Sequence, residues 1–189
     1  MNVPALATMS SYLPDEKSAE TLVERWASFL KKAFLTPPEA GLATSKETRI
    51  VSQAASQKSR QIQLSGDLGA GKTTLVRALL EALGYQGRVR SPSYTLCEPY
   101  VLSFPEGEIE IYHFDLYRFS SPEEWDWGGF REYFARSALC LVEWPEKASD
   151  LLGIPDLFLE LALPEAPAEG RLLHLQAYSP WGQAFMAAD

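Results

Sequence analysis

Gly66-Asp67-Leu68-Gly69-Ala70-Gly71-Lys72-Thr73 is the stretch on which the reading of this chain turns. It fits the pattern G-x-x-x-x-G-K-[ST], a loop whose backbone N–H groups cradle phosphate. The flanks agree. Upstream, Gln61-Ile62-Gln63-Leu64 alternates polar and apolar residues, as a short strand does. Downstream, Thr74 to Leu83 carries apolar residues at helical spacing, and Gly84 is a stop. Strand, glycine loop and helix together are the context in which the pattern has meaning. The glycines let the backbone curl around phosphate oxygens, and the helix N-terminus adds partial positive charge. Lys72 reaches β- and γ-phosphates, and Thr73 offers a hydroxyl to Mg²⁺. Thr74 either meets the α-phosphate or packs in the first turn.

Such a site needs a carboxylate near the metal, at the end of a buried strand beside the loop strand. Two acids qualify. Asp115 closes the strand-like run Glu108–Phe114, and Glu143 closes Ala138–Val142. The second run is continuously apolar, as a parallel strand buried on both faces reads. It therefore suits the sheet centre, and Glu143 is placed on the metal or its water. Asp115 is a second metal contact or the orienter of an attacking water. His113 reads as a donor behind these acids or as a core histidine, the latter favoured on chemistry alone, and His174 reads as structural. Arg118 is left between a phosphate contact and a pair with Glu123 or Glu124.

The rest of the chain is arranged around this unit. Residues 1–14 read as a loose leader. A helix is predicted from about Asp15 to Phe34, with Leu22, Trp26, Phe29, Leu30 and Ala33 on one face. Residues 36–60 open on Pro37-Pro38 and are mostly polar, either a flexible excursion or a short extra element. Arg88 to Leu96 contains Ser91-Pro92-Ser93, which is incompatible with a regular helix. It reads as a connecting loop, or as a switch-like segment that brings Ser93 or Thr95 to the phosphates. Leu96–Tyr100 pairs with Glu108–Phe114 across a turn. Ser121-Pro122-Glu123-Glu124 reads as a capped helix start. It leads into an aromatic cluster of Trp125, Trp127, Phe130, Tyr133 and Phe134, expected in the core. Leu157–Leu163 and Leu172–Ala177 form a last hairpin, and the tail reads as a short helix. The expected fold is α/β: one P-loop domain over 1–189, a three-layer sandwich around a mixed, partly parallel sheet.

Net charge is −8, which argues against this chain alone clamping a nucleic-acid backbone. Cys97 and Cys140, its two cysteines, form no metal cluster and read as reduced thiols of a cytoplasmic protein. No apolar run reaches the length of a membrane span, and the N-terminus lacks the pattern of a signal peptide.

Four segments, in order, resemble the bacterial TsaE family, also called YjeE. They are the loop Gly66–Thr74, then Ser91-Pro92-Ser93-Tyr94-Thr95-Leu96, then His113-Phe114-Asp115-Leu116-Tyr117-Arg118, then Val142-Glu143-Trp144-Pro145-Glu146. The resemblance spans roughly residues 18–177. It implies an ATPase of tRNA N6-threonylcarbamoyladenosine (t6A) biosynthesis, acting with Mg-ATP as cofactor. Its implied partners are TsaD and TsaB, whose complex modifies adenosine-37 of ANN-decoding tRNAs. tRNA would be met only through that complex. By the same analogy Lys72 binds phosphate and Thr73 and Glu143 hold Mg²⁺. Asp115 serves hydrolysis, and Ser91–Thr95 is the switch-like segment. Thr21 and Arg171 match residues that contact the base or ribose. The stretch 36–60 and the leader are longer than the family pattern, and Ser93 and Tyr94 replace a more typical Thr and Phe. A nucleoside or small-molecule kinase is the alternative enzyme, although no arginine-rich lid follows the loop helix. A nucleotide-gated binding module is the alternative from another class. A GTPase lacks support, since no [NT]-K-x-D guanine-reading motif occurs.

Overall fold

The computed structural model describes residues 3–36, 58–92 and 94–188. Residues 37–57, most of the stretch read as an insertion, and Ser93 lie outside the described residues. The strands are β1 (Ala7–Leu13), β2 (Arg60–Ser65), β3 (Cys97–Phe104), β4 (Gly107–Asp115), β5 (Leu139–Glu143), β6 (Leu157–Ala162) and β7 (Arg171–Ala177). The helices are α1 (Glu16–Leu35), α2 (Lys72–Leu83), α3 (Pro122–Trp127), α4 (Phe130–Phe134), α5 (Ser149–Leu152) and α6 (Pro180–Met186), with a 3₁₀ turn at Pro145–Ala148. The strands form one seven-stranded sheet in the order β1-β7-β6-β2-β5-β4-β3. The inner strands β6, β2, β5 and β4 run parallel, and β1, β7 and β3 pair antiparallel at the two edges.

The apolar pattern accounts for this order. Every residue of β5 is buried, so the strand requires cover on both faces and a place inside the sheet. On one face, Ile62, Leu64, Leu139, Leu141, Leu159 and Leu175 pack under α1, α2 and α6. On the other, Phe114, Cys140 and Val142 pack against α3, α4 and the 3₁₀ turn. β2 shows that second face as Gln61 and Gln63, both buried. Their amides donate to the carbonyls of Leu152 and Gly153, so burial there is balanced by hydrogen bonds.

α1 starts where Asp15 caps it, accepting from the Ser18 N–H at 2.8 Å. Those bonds from Ser18 hold the Asp15 carboxyl below its ordinary value. The helix buries Leu22, Val23, Trp26, Ala27, Leu30 and Ala33, and Phe29 meets Trp181 and Phe185 edge-on. α2 closes at Gly84, whose N–H bonds back to the Glu81 carbonyl.

Three expectations need correction. Residues 7–13 of the supposed loose leader form β1, paired from Ala7↔Ala177 to Leu13↔Arg171. Only Leu13 of this strand is buried, so its side chains carry little signal, and the open edge of β7 orders it by backbone bonds. The α3 capping box is displaced: Glu124 accepts from the N–H and hydroxyl of Ser120, not Ser121. Trp127 leaves the aromatic core. It is 84% exposed, whereas Trp125 and Phe130 are buried and Phe134 stacks on Phe114.

Burial pushes the Cys97 and Cys140 thiols up to about 12. Little thiolate then exists near neutral pH. A thiol reagent such as DTNB is expected to label neither in the folded protein and both after unfolding. Rapid native labelling would contradict this packing.

Candidate functional site

β2 runs at the sheet centre and delivers the chain into Gly66, the first residue of the glycine-rich loop. Gly66 has φ +133, and a Cβ there would stand 2.2 Å from the Leu161 carbonyl oxygen of the neighbouring β6. Only glycine fits this approach. Gly71, with φ +109, turns the loop into α2. The loop thus sits at the carboxyl end of the parallel strands, where open α/β sheets bind ligands.

Parallel pairing in register sets the two acids side by side. Asp115 lies opposite Glu143 at the ends of β4 and β5, and Glu143 lies opposite Leu64 at the end of β2. Both carboxylates are buried, at 4% and 2% exposure. Glu143 is held from two sides: Thr73 donates its hydroxyl to Oε2 at 2.9 Å, and His113 Nε2 meets Oε1 at 2.7 Å. Asp115 accepts from the Ser91 hydroxyl and, at 3.1 Å, from the Tyr117 N–H. Lys72 is only 4% exposed. Its ammonium donates to the carbonyls of Gly66 at 2.5 Å and Asp67 at 3.0 Å, and lies 3.7 Å from the Trp144 ring centroid. Burial pulls the Lys72 pKa down, against the opposing pull of Glu143, Glu146, Asp115 and Asp67.

Two non-glycine residues adopt left-handed backbone, Leu96 at φ 60 and Trp144 at φ 59. Each borders one of the acids. The Leu96 carbonyl accepts from the Asp115 N–H at 3.1 Å, and Trp144 directly follows Glu143 and donates its N–H to Leu64 at 3.2 Å. Such conformations cost on the order of 1–3 kcal/mol and persist where surroundings impose them. Here they fix the strand ends that carry the carboxylates.

Two cavities meet at the loop. The smaller, about 260 Å³, is lined by Lys72, Thr73, Ser91, Asp115, Glu143 and Trp144. The larger, about 710 Å³, lies between the start of α1, the outer side of α2 and the β6–β7 hairpin. Both include Gly69, Gly71 and Thr74. A hydroxyl, two carboxylates and an ammonium around a small polar cavity are the donor set that a magnesium–phosphate group requires. Among the described residues no three His, Cys, Asp or Glu side chains cluster as a self-sufficient metal cage.

The family profile described as Threonylcarbamoyl adenosine biosynthesis protein TsaE matches residues 42–173. The chain belongs to the TsaE family. It is 36% identical over 156 residues to the tRNA threonylcarbamoyladenosine biosynthesis protein TsaE of Haemophilus influenzae, spanning 82% of this chain and 83% of that one. It is also 36% identical over 110 residues to the protein of the same name from Bacillus subtilis, spanning 58% of this chain and 65% of that one. The crystal structure of Bacillus subtilis YdiB superposes with a TM-score of 0.60, over 95% of this chain and 92% of that chain. At 21% identity that likeness is one of fold.

The remaining residues singled out in this TsaE-family chain divide. Arg171 reaches the loop, donating from Nε to the Ala70 carbonyl at 2.8 Å. Thr21 does not: it is exposed on α1, and its hydroxyl donates to the Lys17 carbonyl at 3.0 Å. Thr95 is exposed and stands outside the smaller cavity, and the switch-like segment reaches that cavity through Ser91 instead. The guanidinium of Arg118 lies 4.7 Å from the exposed Tyr94 ring. His174 meets the Ser10 hydroxyl across β1 and β7. His113 is the residue the sequence reading undervalued. Its spacing of two from Asp115 on one strand puts both on the same face, which was the available signal. No helix among the described residues is long and apolar enough to cross a membrane.

Proposed function

We propose that this chain is the Mg-ATP-hydrolysing subunit of the t6A machinery, required for repeated turnover by a TsaD–TsaB transferase. The observation that carries the reading is the convergence of Lys72, Thr73, Asp115 and Glu143 on one small cavity in a chain of the TsaE family. The relatives from Haemophilus influenzae and Bacillus subtilis carry the t6A biosynthesis name. The triphosphate would lie along the P-loop into the smaller cavity, and the nucleoside in the larger. Bound Mg²⁺ would supply neutralisation of charge on the β- and γ-phosphate oxygens.

The chain's own residues divide the remaining work. Lys72 exchanges its carbonyl partners for phosphate oxygens. Thr73 and Glu143 are the side chains that would hold the metal, with His113 keeping one Glu143 oxygen in place. Asp115, set by Ser91 and Tyr117, orients a water for in-line attack on the γ-phosphorus. The bond to the bridging oxygen breaks, ADP leaves, and the water's proton passes toward the Asp115 carboxylate. Trp144 and Tyr117, with ring centroids 4.9 Å apart, line one side of the cavity. The site of action is the cytoplasm, and tRNA is reached only through the complex.

A reconstituted reaction with TsaD, TsaB, tRNA and ATP tests this. Adding the chain is expected to convert a single round of t6A formation into many. Phosphate transfer to a small acceptor without partners would point to a kinase. ATP binding with no turnover under any condition would leave a gated binding module.

A further inference from the structure

Arg171 is the first residue of β7, paired with Leu13 at the end of β1. Its surroundings leave it little freedom. The Tyr12 hydroxyl donates to the Glu169 carbonyl at 2.6 Å. Gly170 is pressed so close that a Cβ there would stand 2.3 Å from the Leu13 oxygen. The guanidinium donates from Nη1 to the Gly170 carbonyl at 2.6 Å and from Nε to the Ala70 carbonyl at 2.8 Å. Ala70 is 1% exposed, and it lies inside the P-loop, one residue before Gly71.

A trans peptide unit is planar, with its C=O and N–H pointing in opposite directions. The carbonyl of Ala70 and the N–H of Gly71 belong to the same unit. Holding the carbonyl toward the hairpin therefore holds the Gly71 N–H away from it. Gly71, at φ +109, could otherwise rotate this peptide at little cost. A carbonyl turned into the loop would repel phosphate, whereas an N–H there binds it.

We infer that Arg171 is a positioning residue for the phosphates, locking the Ala70–Gly71 peptide in its phosphate-accepting orientation from the last hairpin. Its effect falls on the phosphate chain of the ligand and not on the base. The inference rests on the nucleotide reading given above.

The test separates phosphate from nucleoside. Tripolyphosphate, ATP and adenosine are titrated in turn, with Mg²⁺, into the full chain and its Arg171→Ala variant by calorimetry. Arg171→Ala is expected to weaken tripolyphosphate and ATP by the same factor, about tenfold for a lost charge-assisted bond, and to leave adenosine unchanged. Arg171→Lys, which can still reach the Ala70 carbonyl, is expected to recover part of the loss for both phosphate ligands. Should the alanine variant not fold, Arg171→Met keeps an apolar stem without a donor and gives the same comparison. ATP weakened with tripolyphosphate unchanged would overturn the inference, and would make Arg171 a base or ribose contact. Wild-type chain that binds neither ATP nor tripolyphosphate would overturn the nucleotide reading itself.

Discussion

Replacing Lys72 with alanine is expected to weaken ATP binding by about a hundredfold, the upper end for a hydrogen bond to a charged group. The surroundings of the ammonium explain the size. The ammonium is almost fully buried, bonded to carbonyls of Gly66 and Asp67 and stacked against Trp144. None of those partners carries a full negative charge, and burial already pulls the Lys72 pKa down. Phosphate oxygens would bond the ammonium directly, charge to charge, in a cavity of low dielectric. The fold should suffer little, because the variant removes a desolvated cation rather than a packed apolar side chain. Calorimetric titration and a thermal melt check both parts. Unchanged affinity would show that Lys72 does not meet the nucleotide.

Glu143→Gln is expected to lower the rate of ATP hydrolysis by about a hundredfold while ATP affinity stays within about threefold. A hundredfold corresponds to about 3 kcal/mol of transition-state stabilisation. Glutamine keeps the shape, with its oxygen facing His113 and its amide NH₂ donating to the Thr73 hydroxyl oxygen, so the loss reports the missing charge rather than a cavity. The distinction matters because His113 Nδ1 already has no hydrogen-bond partner among the described residues. Removing its Nε2 partner as well, as alanine would, leaves a buried imidazole stranded and adds a stability loss of about 1–3 kcal/mol. Single-turnover rates beside binding constants separate the two effects. A Glu143→Gln variant that hydrolyses at the wild-type rate would remove Glu143 from the metal.

Much of this site was legible in the sequence, for reasons that can be traced. The P-loop pattern is local, so its backbone follows from neighbouring residues alone. Glu143 could be placed because five consecutive buried positions in β5 require a strand inside the sheet. Asp115 followed from its strand, and parallel register then brought the acids level. What was hidden depends on contacts between distant segments. β1 has one buried side chain and is held by backbone bonds, which leave no trace in composition. Ser91 was passed over as a contact while Thr95, which is exposed, was named, because only tertiary packing decides which hydroxyl of a proline-broken loop turns inward. Thr21 was matched by position along a pattern, and in the structure it is exposed on α1 with its hydroxyl bonded to the Lys17 carbonyl. Arg171 was matched to a base or ribose contact by resemblance, and the partner the structure shows is the loop's own backbone.

The most direct measurement is phosphate release from Mg-ATP by the purified chain, alone and with TsaD and TsaB, run beside Lys72→Ala and Glu143→Gln. Slow release by the wild type that rises when the partners are added, and that both substitutions sharply reduce at limiting ATP, is the expected result. Release that persists in both variants, or none from the wild type with its partners present, would contradict the assignment of this cavity as an ATP-hydrolysing site.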